Sequence, residues 1–225
     1  MLLSPIEGHR LWAPIYHSGF NPLLALERRA MREIVAPLRP SSVVDIACGT
    51  GEWLSYFQRA GSDVFGCDAC EEMLMQAAKH VHLRGRIALA EAEHVPLRGS
   101  VADLILCSLS LGYLSKIDSV FREFMRLSRR GGRIALSDMH PAALAAGWTR
   151  SFKVGAQRYE LENQTRTLEE IHHAASAAGL RLLSCETICF DAPEFPIFER
   201  AGKEDLFEET CRIPALFTCL WEHPC

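Results

Sequence analysis

Apolar runs alternate with amphipathic, helix-like segments along most of this chain, and that alternation limits the fold more than any other feature. Strands that are apolar on both faces and separated by helices are typical of a parallel sheet covered on both sides. The pattern predicts a doubly wound α/β fold, a Rossmann-like, mostly parallel seven-stranded sheet whose last strand is antiparallel. The seven predicted strands lie in SVVDIA, DVFGCD, RIALAEA, ADLILCSLS, RIALSDMH, LRLLSCETICF and PALFTCLWEH.

The intervening segments predict helices over about 52–60, 119–128 and 167–178, the second stopped by Gly131-Gly132 and the third capped by Thr167. Residues 147–164 mix aromatic and charged side chains without a helical period, which predicts an insertion after the fifth strand, at about 141–166, that roofs a pocket. We predict one core domain over 41–225, preceded by cover helices within 1–40.

Charge and hydropathy exclude two classes of partner. The net charge is −4, and basic residues are interleaved with acids, as in Glu27-Arg28-Arg29 and Arg122-Glu123, which we interpret as solvated faces. Binding a nucleic acid needs clustered Lys and Arg instead. No segment approaches the ~18 consecutive apolar residues of a membrane span, and no secretory leader is evident. The prediction is a chain that binds neither nucleic acid nor membrane.

The nine cysteines favour a reducing compartment. Most lie inside apolar, strand-like runs, as Cys107, Cys189 and Cys219 do, so we interpret them as buried free thiols in a cytoplasmic protein. Cys67-x-x-Cys70 is the one metal-like spacing, and no second Cys/His pair follows at the distance of a zinc site. His172-His173 are adjacent on a predicted helix and face different directions. No metal site is predicted.

The turn after the first strand, ACGTG, carries almost no side-chain bulk. Ala47, Gly49 and Gly51 allow the backbone to curl tightly and to contact a ligand directly. The helix that follows presents its N–H groups and positive dipole end to the same crevice. Asp45, at the end of the strand, can accept hydrogen bonds from backbone N–H groups or from a ligand amine.

A second acid, Asp68, closes the second strand, where a carboxylate can accept two hydrogen bonds from a ribose diol. The two features together indicate an adenosine-type ligand. Glu52-Trp53 occupy the place where a P-loop needs Lys and Ser/Thr, the G-x-G-x-x-G spacing of dinucleotide sites is absent, and so is a Tyr-x-x-x-Lys pair. A cationic or zwitterionic ligand without phosphate fits these residues better.

These segments resemble the motifs of class I S-adenosylmethionine (SAM) dependent methyltransferases. DIACGTG is similar to the first motif, and GCDACEEML, AEAEHVPL, ADLILCSLSLGYL and LSRRGGRIALSD resemble later motifs of that family, in order over about residues 43–140. RLWAPIYHSGFNPLLALERRAM resembles the cover helix of small-molecule methyltransferases related to ubiquinone- and menaquinone-pathway enzymes. The resemblance implies SAM as cofactor and S-adenosylhomocysteine as product.

The resemblance also implies roles for individual residues. Gly49 and Gly51 would line the methionine part of the cofactor, Asp68 would hold the ribose hydroxyls, and Ser108 and Leu109 would pass beneath the sulfonium. Four places depart from the family pattern: Ala47 for a glycine, Glu91 for an aspartate, His17 for an aspartate, and Arg129-Arg130 for a common proline before Gly131. The full set of implied cofactor-binding residues is Tyr16, Asp45, Ala47, Gly49, Gly51, Asp68, Met73, Glu91, Ser108 and Leu109.

Candidate catalytic residues follow the fifth strand. His140 has an ordinary pKa suited to removing a proton from a hydroxyl or an acidic carbon, and Asp138 is a second candidate. The alternative is that His140-Pro141 only ends the strand and hydrogen-bonds a loop. Substrate contacts are predicted in the roofing insertion, where Trp148, Arg150 and Tyr159 suit an aromatic or acyl acceptor, including one with a carboxylate. A small hydrophobic cluster with a surface Arg is the alternative there.

The predicted function is transfer of a methyl group from SAM to an O, N or C atom of a small-molecule metabolite by a monomer or homodimer. Cys107-Ser108-Leu109-Ser110 stand where enzymes that methylate base amino groups usually carry Asn/Asp-Pro-Pro-Tyr/Phe, which argues against a nucleic-acid substrate. Two alternatives stay open. One is a catalytically silent SAM-binding partner or regulator, and the other is a nicotinamide-dependent oxidoreductase.

Overall fold

The computed structural model of the chain describes residues 1–18 and 20–225. Over these residues the main elements alternate between strands and helices, as the apolar pattern predicts. The strands are β1 Leu2–Leu3, β2 Ser42–Ile46, β3 Asp63–Asp68, β4 Ile87–Leu89, β5 Ala102–Ser108, β6 Ser128–Met139, β7 Ser151–Val154, β8 Gln157–Leu161, β9 Arg181–Ile188 and β10 Leu216–Glu222. The α-helices are α1 Pro5–Trp12, α2 Pro22–Val35, α3 Glu52–Arg59, α4 Glu71–Ala77, α5 Ile117–Leu127, α6 Pro141–Ala145, α7 Leu168–Ala177, α8 Phe195–Arg200 and α9 Glu204–Thr210.

Seven strands form the central sheet, in the order β4-β3-β2-β5-β6-β10-β9. Strands β2 to β6 run parallel, whereas β10 is antiparallel to both of its neighbours, β6 and β9. The predicted doubly wound, mostly parallel sheet with an antiparallel last strand is therefore confirmed. Its order reverses between β2 and β5, so the carboxyl ends of these two strands flank the crevice where such folds bind ligands.

The two faces of the sheet bury different helices. Val44 of β2 packs into a cluster with Phe121 of α5 and Ile171 of α7. Val43, the preceding residue, points to the opposite face and joins a cluster with Met31 of α2 and residues of α3. This alternation follows from the two-residue period of a strand. The cover helix α2 thus contributes to the core and lies on the sheet beside the crevice.

Two local predictions from sequence need correction. Helix α5 ends at Leu127 and not at the glycine pair, because Ser128 already pairs with Ala102 of β5, and the glycine pair falls in an irregularity of strand β6 before pairing resumes at Arg133. The interpretation of the mixed-charge runs as solvated faces is wrong for two acids, since Glu27 is only 1% and Glu123 only 7% exposed.

A second, three-stranded sheet of order β1-β8-β7 lies outside the main one. Strands β7 and β8, with α6, fall within the predicted roofing insertion, and β1 comes from the predicted N-terminal cover region. Leu2 and Leu3 pair in parallel with Glu160 and Leu161, so the cover and the roof share one sheet. Among the described residues, no helix combines the length and apolar character needed to cross a membrane.

Candidate functional site

The turn between β2 and α3 has left-handed backbone at all three positions with small side chains: φ is +59° at Ala47, +52° at Gly49 and +76° at Gly51. A Cβ at Gly51 would lie 2.7 Å from Cδ1 of Leu83, so close packing against the neighbouring segment requires glycine there. A Cβ at Gly49 would meet no described atom within 4 Å. The turn therefore has open space over Gly49, on the side where a ligand can contact its backbone.

Asp68, at the end of β3, is held by two backbone N–H groups. Its Oδ2 accepts a hydrogen bond from Gly49 at 2.8 Å, and its Oδ1 accepts one from Cys70 at 2.8 Å. Burial raises the pKa of Asp68 despite these two bonds. Each carboxylate oxygen keeps acceptor capacity, so the side chain is fixed in orientation and can still bind a pair of hydroxyls.

Asp45, at the end of β2, has no comparable partner. The side chain is 2% exposed, and its buried Oδ1 accepts no hydrogen bond from the residues that the structure describes. Burial, with the nearby charges of Glu27 and Asp68, raises the pKa of Asp45 well above its ordinary value. A buried acceptor without a donor is costly and uncommon. The orphaned oxygen fits a ligand that brings its own donor or positive charge, as the amino group and sulfonium of SAM would.

Glu27 of α2 is a site residue that the sequence analysis missed. Its Oε1 accepts hydrogen bonds from Oγ of Ser108 at 2.6 Å, Oγ of Ser137 at 3.0 Å and Nε1 of Trp53 at 3.2 Å. Burial outweighs these bonds and raises the pKa of Glu27 to about 7. The carboxyl group therefore changes charge near neutral pH while it lies across the carboxyl ends of β5 and β6.

The sequence did contain a signal for Glu27. Leu24, Glu27, Ala30 and Met31 recur at spacings of three and four residues, so the acid stands within the apolar stripe of α2. An acid inside such a stripe is buried by the same packing that buries its apolar neighbours. The neighbouring Arg28 and Arg29 made the segment look like a solvated, charged face, so Glu27 was not predicted to be buried.

The cover region closes over the turn through named contacts. Tyr16 packs against a small cluster that contains Met73, so the structure brings these two predicted cofactor residues together. Nε2 of His17 lies 2.7 Å from Oγ1 of Thr50 in the turn, and Arg28 forms an ion pair with Glu52 at the start of α3. Burial raises the pKa of the Tyr16 hydroxyl. The cover is thus anchored to the element that would hold the cofactor.

Three further predicted cofactor residues occupy distinct positions around this edge. Ser108 donates to Glu27, and Leu109 follows with a left-handed φ of +51°, which is uncommon for a bulky residue and is typical of functional sites. Glu91 is exposed, and its charge adds slightly to the raised pKa of Asp68, which burial mainly causes. Glu91 therefore lies within electrostatic reach of Asp68.

The roof is anchored by a buried ion pair between Arg150 and Asp138, whose side chains are 6% and 4% exposed. Arg150 also donates to the carbonyl oxygen of Leu109 at 2.9 Å and to Oδ1 of Asn163 at 2.7 Å, and its guanidinium lies 4.6 Å from the centre of the Tyr113 ring. The alternative of a surface arginine is therefore wrong. The charge of Arg150 is neutralised inside the protein.

Asp138 is fully engaged as well. Besides Arg150, it accepts hydrogen bonds from the backbone N–H groups of Gly112 at 2.7 Å and Met139 at 2.6 Å. These bonds occupy both oxygens of the carboxylate. Its predicted catalytic role remains a prediction, and the geometry gives it a role in holding the roof to β6.

His140 caps the short helix α6. Its Nδ1 accepts a hydrogen bond from the N–H of Ala142 at 3.0 Å, and its Nε2 lies 3.4 Å from Oγ1 of Thr187. Burial lowers the pKa of His140, so the ring is neutral at pH 7, and the cap bond places the ring proton on Nε2. This geometry supports the alternative of a strand-ending residue, and a catalytic role for His140 remains a prediction.

The other two predicted substrate residues lie in different places. Trp148 stacks beside Phe190 at 6.0 Å, whereas Tyr159 stacks on Phe152 at 5.5 Å in the small sheet. Phe152 in turn stacks on Trp12 at 4.9 Å. Aromatic rings from the cover and the roof therefore meet above the site, and Arg150 lies beside them against the Tyr113 ring.

The comparisons with known proteins agree with this geometry. Residues 44–136 match the family model described as a methyltransferase domain. A malonyl-[acyl-carrier protein] O-methyltransferase of Hamiltonella defensa is 27% identical over 162 residues, 70% of this chain and 60% of that protein. The ubiquinone/menaquinone biosynthesis C-methyltransferase of Rubrivivax gelatinosus is 29% identical over 146 residues, 64% of this chain and 50% of that protein. The chain thus spans half to three fifths of the length of these two relatives.

A solved structure of an S-adenosylmethionine dependent methyltransferase from Mesorhizobium loti has a TM-score of 0.68 and 21% sequence identity, and the match covers 88% of this chain and 97% of that one. At that identity the likeness shows the fold. The domain match runs from β2 to β6 and thus includes the glycine turn, Asp68 and Ser108. The predicted family and its cofactor, SAM, are confirmed. Residues 44–136 are thus similar to a methyltransferase domain, as the motifs predict.

Proposed function

We propose that this chain transfers a methyl group from SAM to an O, N or C atom of a small-molecule metabolite. The observation that carries the proposal is the edge formed by Asp45, Gly49 and Asp68, where an orphaned buried acid and a doubly anchored carboxylate flank open space over the turn. When bound, SAM supplies an already activated methyl group on a positively charged sulfur, so the protein mainly contributes alignment, exclusion of water and management of a proton.

The cofactor-holding roles follow from charge and hydrogen bonding. Asp68 keeps acceptor capacity for the ribose hydroxyls, and the backbone at Gly49 borders the open space of the turn. Asp45 and Glu27 supply negative charge beside a cation, and binding one would favour their ionised forms. Tyr16 and Met73, which belong to one packed cluster, would cover the base.

The acceptor is proposed to be recognised by shape and aromatic contact. The Trp12 ring centre lies 4.9 Å from those of Tyr16 and Phe152, and the His9 ring centre lies 4.8 Å from that of Tyr113, so aromatic side chains of the cover and the roof pack together here. Arg150 is already paired with Asp138, which leaves it unavailable as a carboxylate receptor. We therefore favour an aromatic or acyl acceptor that is uncharged where it meets the roof. Similarity to both an O- and a C-methyltransferase is compatible with either atom.

We further propose Glu27 as the group that accepts a proton from the acceptor. It bonds Ser108, the residue that the resemblance places beneath the sulfonium, and its pKa of about 7 matches the pH at which a general base works best. His140 and Asp138 have their lone pairs engaged by a helix cap and by an ion pair, respectively. A base is needed only for acceptors that lose a proton.

Titration calorimetry tests whether the protein binds SAM, on which the rest of the proposal depends. We expect the protein to bind SAM and S-adenosylhomocysteine, and Asp68→Asn to weaken both by about 30- to 100-fold, because hydrogen bonds to a charged group contribute about 2 to 3 kcal/mol. Asp63→Asn, at the other end of β3 in a surface ion pair with Arg86, is the matched control and should bind normally. Absence of heat with both ligands would overturn the proposal. Binding without formation of S-adenosylhomocysteine across a broad panel of acceptors would replace it with the silent SAM-binding alternative.

A further inference from the structure

Two cysteines face each other at the edge of the main sheet, away from the candidate functional site. Cys219 in β10 and Cys185 in the edge strand β9 are register partners in an antiparallel pair. Side chains of directly opposed residues point to the same face of the sheet and have Cβ atoms about 4.5 to 5.5 Å apart. Here that face is the one covered by α7, whose Ile171 packs into the same cluster as Cys219.

His172 of α7 completes a cluster of three metal-ligating side chains. One nitrogen of its ring and the sulfur atoms of Cys185 and Cys219 all lie within 4.8 Å of one another. The Nδ1 atom of His172 is buried and has no hydrogen-bond partner in the part of the chain that the structure describes. The ring stands edge-on to Trp221 at 5.8 Å. The His172 ring therefore lies beside two thiols and carries a buried nitrogen that lacks a partner among the described residues.

The three donors match the preference of Zn²⁺. Thiolate sulfur and imidazole nitrogen are its usual ligands in proteins, and a Cys₂His set leaves one tetrahedral position for water or another ligand. The charge of a bound ion would favour the deprotonated form of both thiols.

We propose that His172, Cys185 and Cys219 form a binding site for Zn²⁺. With Zn–S near 2.3 Å and Zn–N near 2.0 Å, donors around one ion stand roughly 3.4 to 3.8 Å apart, so closing the cluster needs a shift of about 1 Å. The ion would take two thiolates and one imidazole, and two thiol protons would leave to solvent. Water or a small exogenous ligand would fill the fourth tetrahedral position.

The site would tie α7 to the exposed edge of the sheet. Strand β9 pairs only with β10 in the sheet order, and α7 reaches β9 by side-chain packing. A metal bridging both strands and the helix would stabilise this corner against local opening. The role is independent of the proposed methyl transfer, and SAM binding should be unaffected by it.

The test titrates Co²⁺, as an optical stand-in for Zn²⁺, into the reduced full chain and then displaces it with Zn²⁺. We expect one equivalent to give thiolate-to-cobalt charge transfer and the visible bands of a tetrahedral ion. His172→Ala and Cys185→Ser should each weaken binding by at least about tenfold. The matched controls, His173→Ala on the same helix and Cys189→Ser just beyond the same strand, should bind as the unmodified chain does. Zn²⁺ should also raise Tm only where binding is kept.

Two results would overturn the site: no thiolate-to-cobalt band at equimolar metal, or binding by His172→Ala and Cys185→Ser equal to that of the controls. Cys219 is fully buried in the core, so its replacement is avoided. Melting curves without metal show whether each variant is folded. Calorimetry with S-adenosylhomocysteine on the same variants separates this site from the proposed function, because its loss should leave cofactor binding intact.

Discussion

The two halves of the candidate site treat charge in opposite ways. At the ends of β2 and β3, Asp45 is buried with an orphaned oxygen, and Glu27 has a pKa raised to about 7. In the roof, by contrast, Arg150 and Asp138 neutralise each other within a network that leaves neither with a free face. Buried charge is tolerated when it is paired and costly when it is not.

This difference indicates which half awaits a charged ligand. The cofactor edge holds buried acids whose ionised forms lack a counter-charge, and a sulfonium and an ammonium group would supply it. The charges of Arg150 and Asp138 in the roof are neutralised without a ligand. We therefore expect charge to contribute little to acceptor binding there, and shape and aromatic contacts to determine which acceptor binds. The following changes test that contrast, ordered by the expected change in the free energy of unfolding.

The largest effect should come from breaking the roof pair. Arg150→Met leaves Asp138 charged and buried without its cation, which should lower the free energy of unfolding by about 3 to 5 kcal/mol. Urea denaturation measures this. Arg86→Met, which breaks the exposed pair with Asp63, is the control and should cost less than about 1 kcal/mol. If Arg150→Met destabilised no more than Arg86→Met and instead raised KM for the acceptor, the roof arginine would be a receptor for acceptor charge.

A pH-dependent effect should come from Glu27. Since its folded pKa of about 7 exceeds the ordinary 4.5, the folded state holds the extra proton, and stability falls as pH rises from about 4.5 to about 7. The loss approaches about 3 kcal/mol, at about 1.4 kcal/mol for each pKa unit. Glu27→Gln should remove it, so this variant should gain stability over the unmodified chain at pH 8 and not at pH 5.

Kinetics on the same variant tests the proposed proton transfer. With an acceptor that loses a proton, Glu27→Gln should lower kcat by about a hundredfold and abolish the rise of activity through pH 7, with little change in KM for SAM. Glu33→Gln, on the exposed face of the same helix, should change neither stability nor kcat. An equal pH dependence of stability in both variants would contradict the buried-acid assignment. A higher KM for SAM with unchanged kcat would indicate that Glu27 supplies negative charge for cofactor binding and does not accept a proton from the acceptor.

The smallest effect on stability should come from the glycine turn. Gly49→Ala and Gly61→Ala both place an alanine at positive φ, +52° and +94°, with no described atom within 4 Å of the new Cβ. Each should cost about 1 to 2 kcal/mol. Only Gly49→Ala should weaken binding of S-adenosylhomocysteine, because its methyl group enters the space over the turn. Equal binding by the two variants would remove Gly49 from the site.

Much of the cofactor edge could be predicted from sequence because it is local. The run DVFGCD coincides with strand β3, Asp68 closes it, and Thr167 forms the expected cap of α7 together with Glu170. In each case the residues that set the geometry are neighbours in the chain. Turn chemistry and strand period then determine where a side chain stands, without knowledge of the rest of the fold.

The parts that could not be predicted depend on contacts distant in sequence. Glu27 meets Ser108 and Ser137 across 81 and 110 residues, and only the placement of α2 on the sheet makes it a site residue. The sequence predicted that Arg150 contacts the acceptor. Its actual partner, Asp138, lies near the end of β6, and Arg150 reaches it only because the insertion folds back over that strand. His172 likewise meets Cys185 and Cys219 only once helix and strands are assembled.

The position of β10 affects how the domain folds during translation. β10 leaves the ribosome after the other six strands of the main sheet, yet it occupies an interior place in that sheet and is the neighbour that β9 pairs with. Until it inserts, the edge of β6 stays bare and β9 cannot join, so the nascent chain carries an incomplete sheet whose exposed edges invite aggregation. Pausing late in synthesis would prolong that vulnerable state, and truncations within the last strand should accumulate as insoluble or chaperone-bound protein.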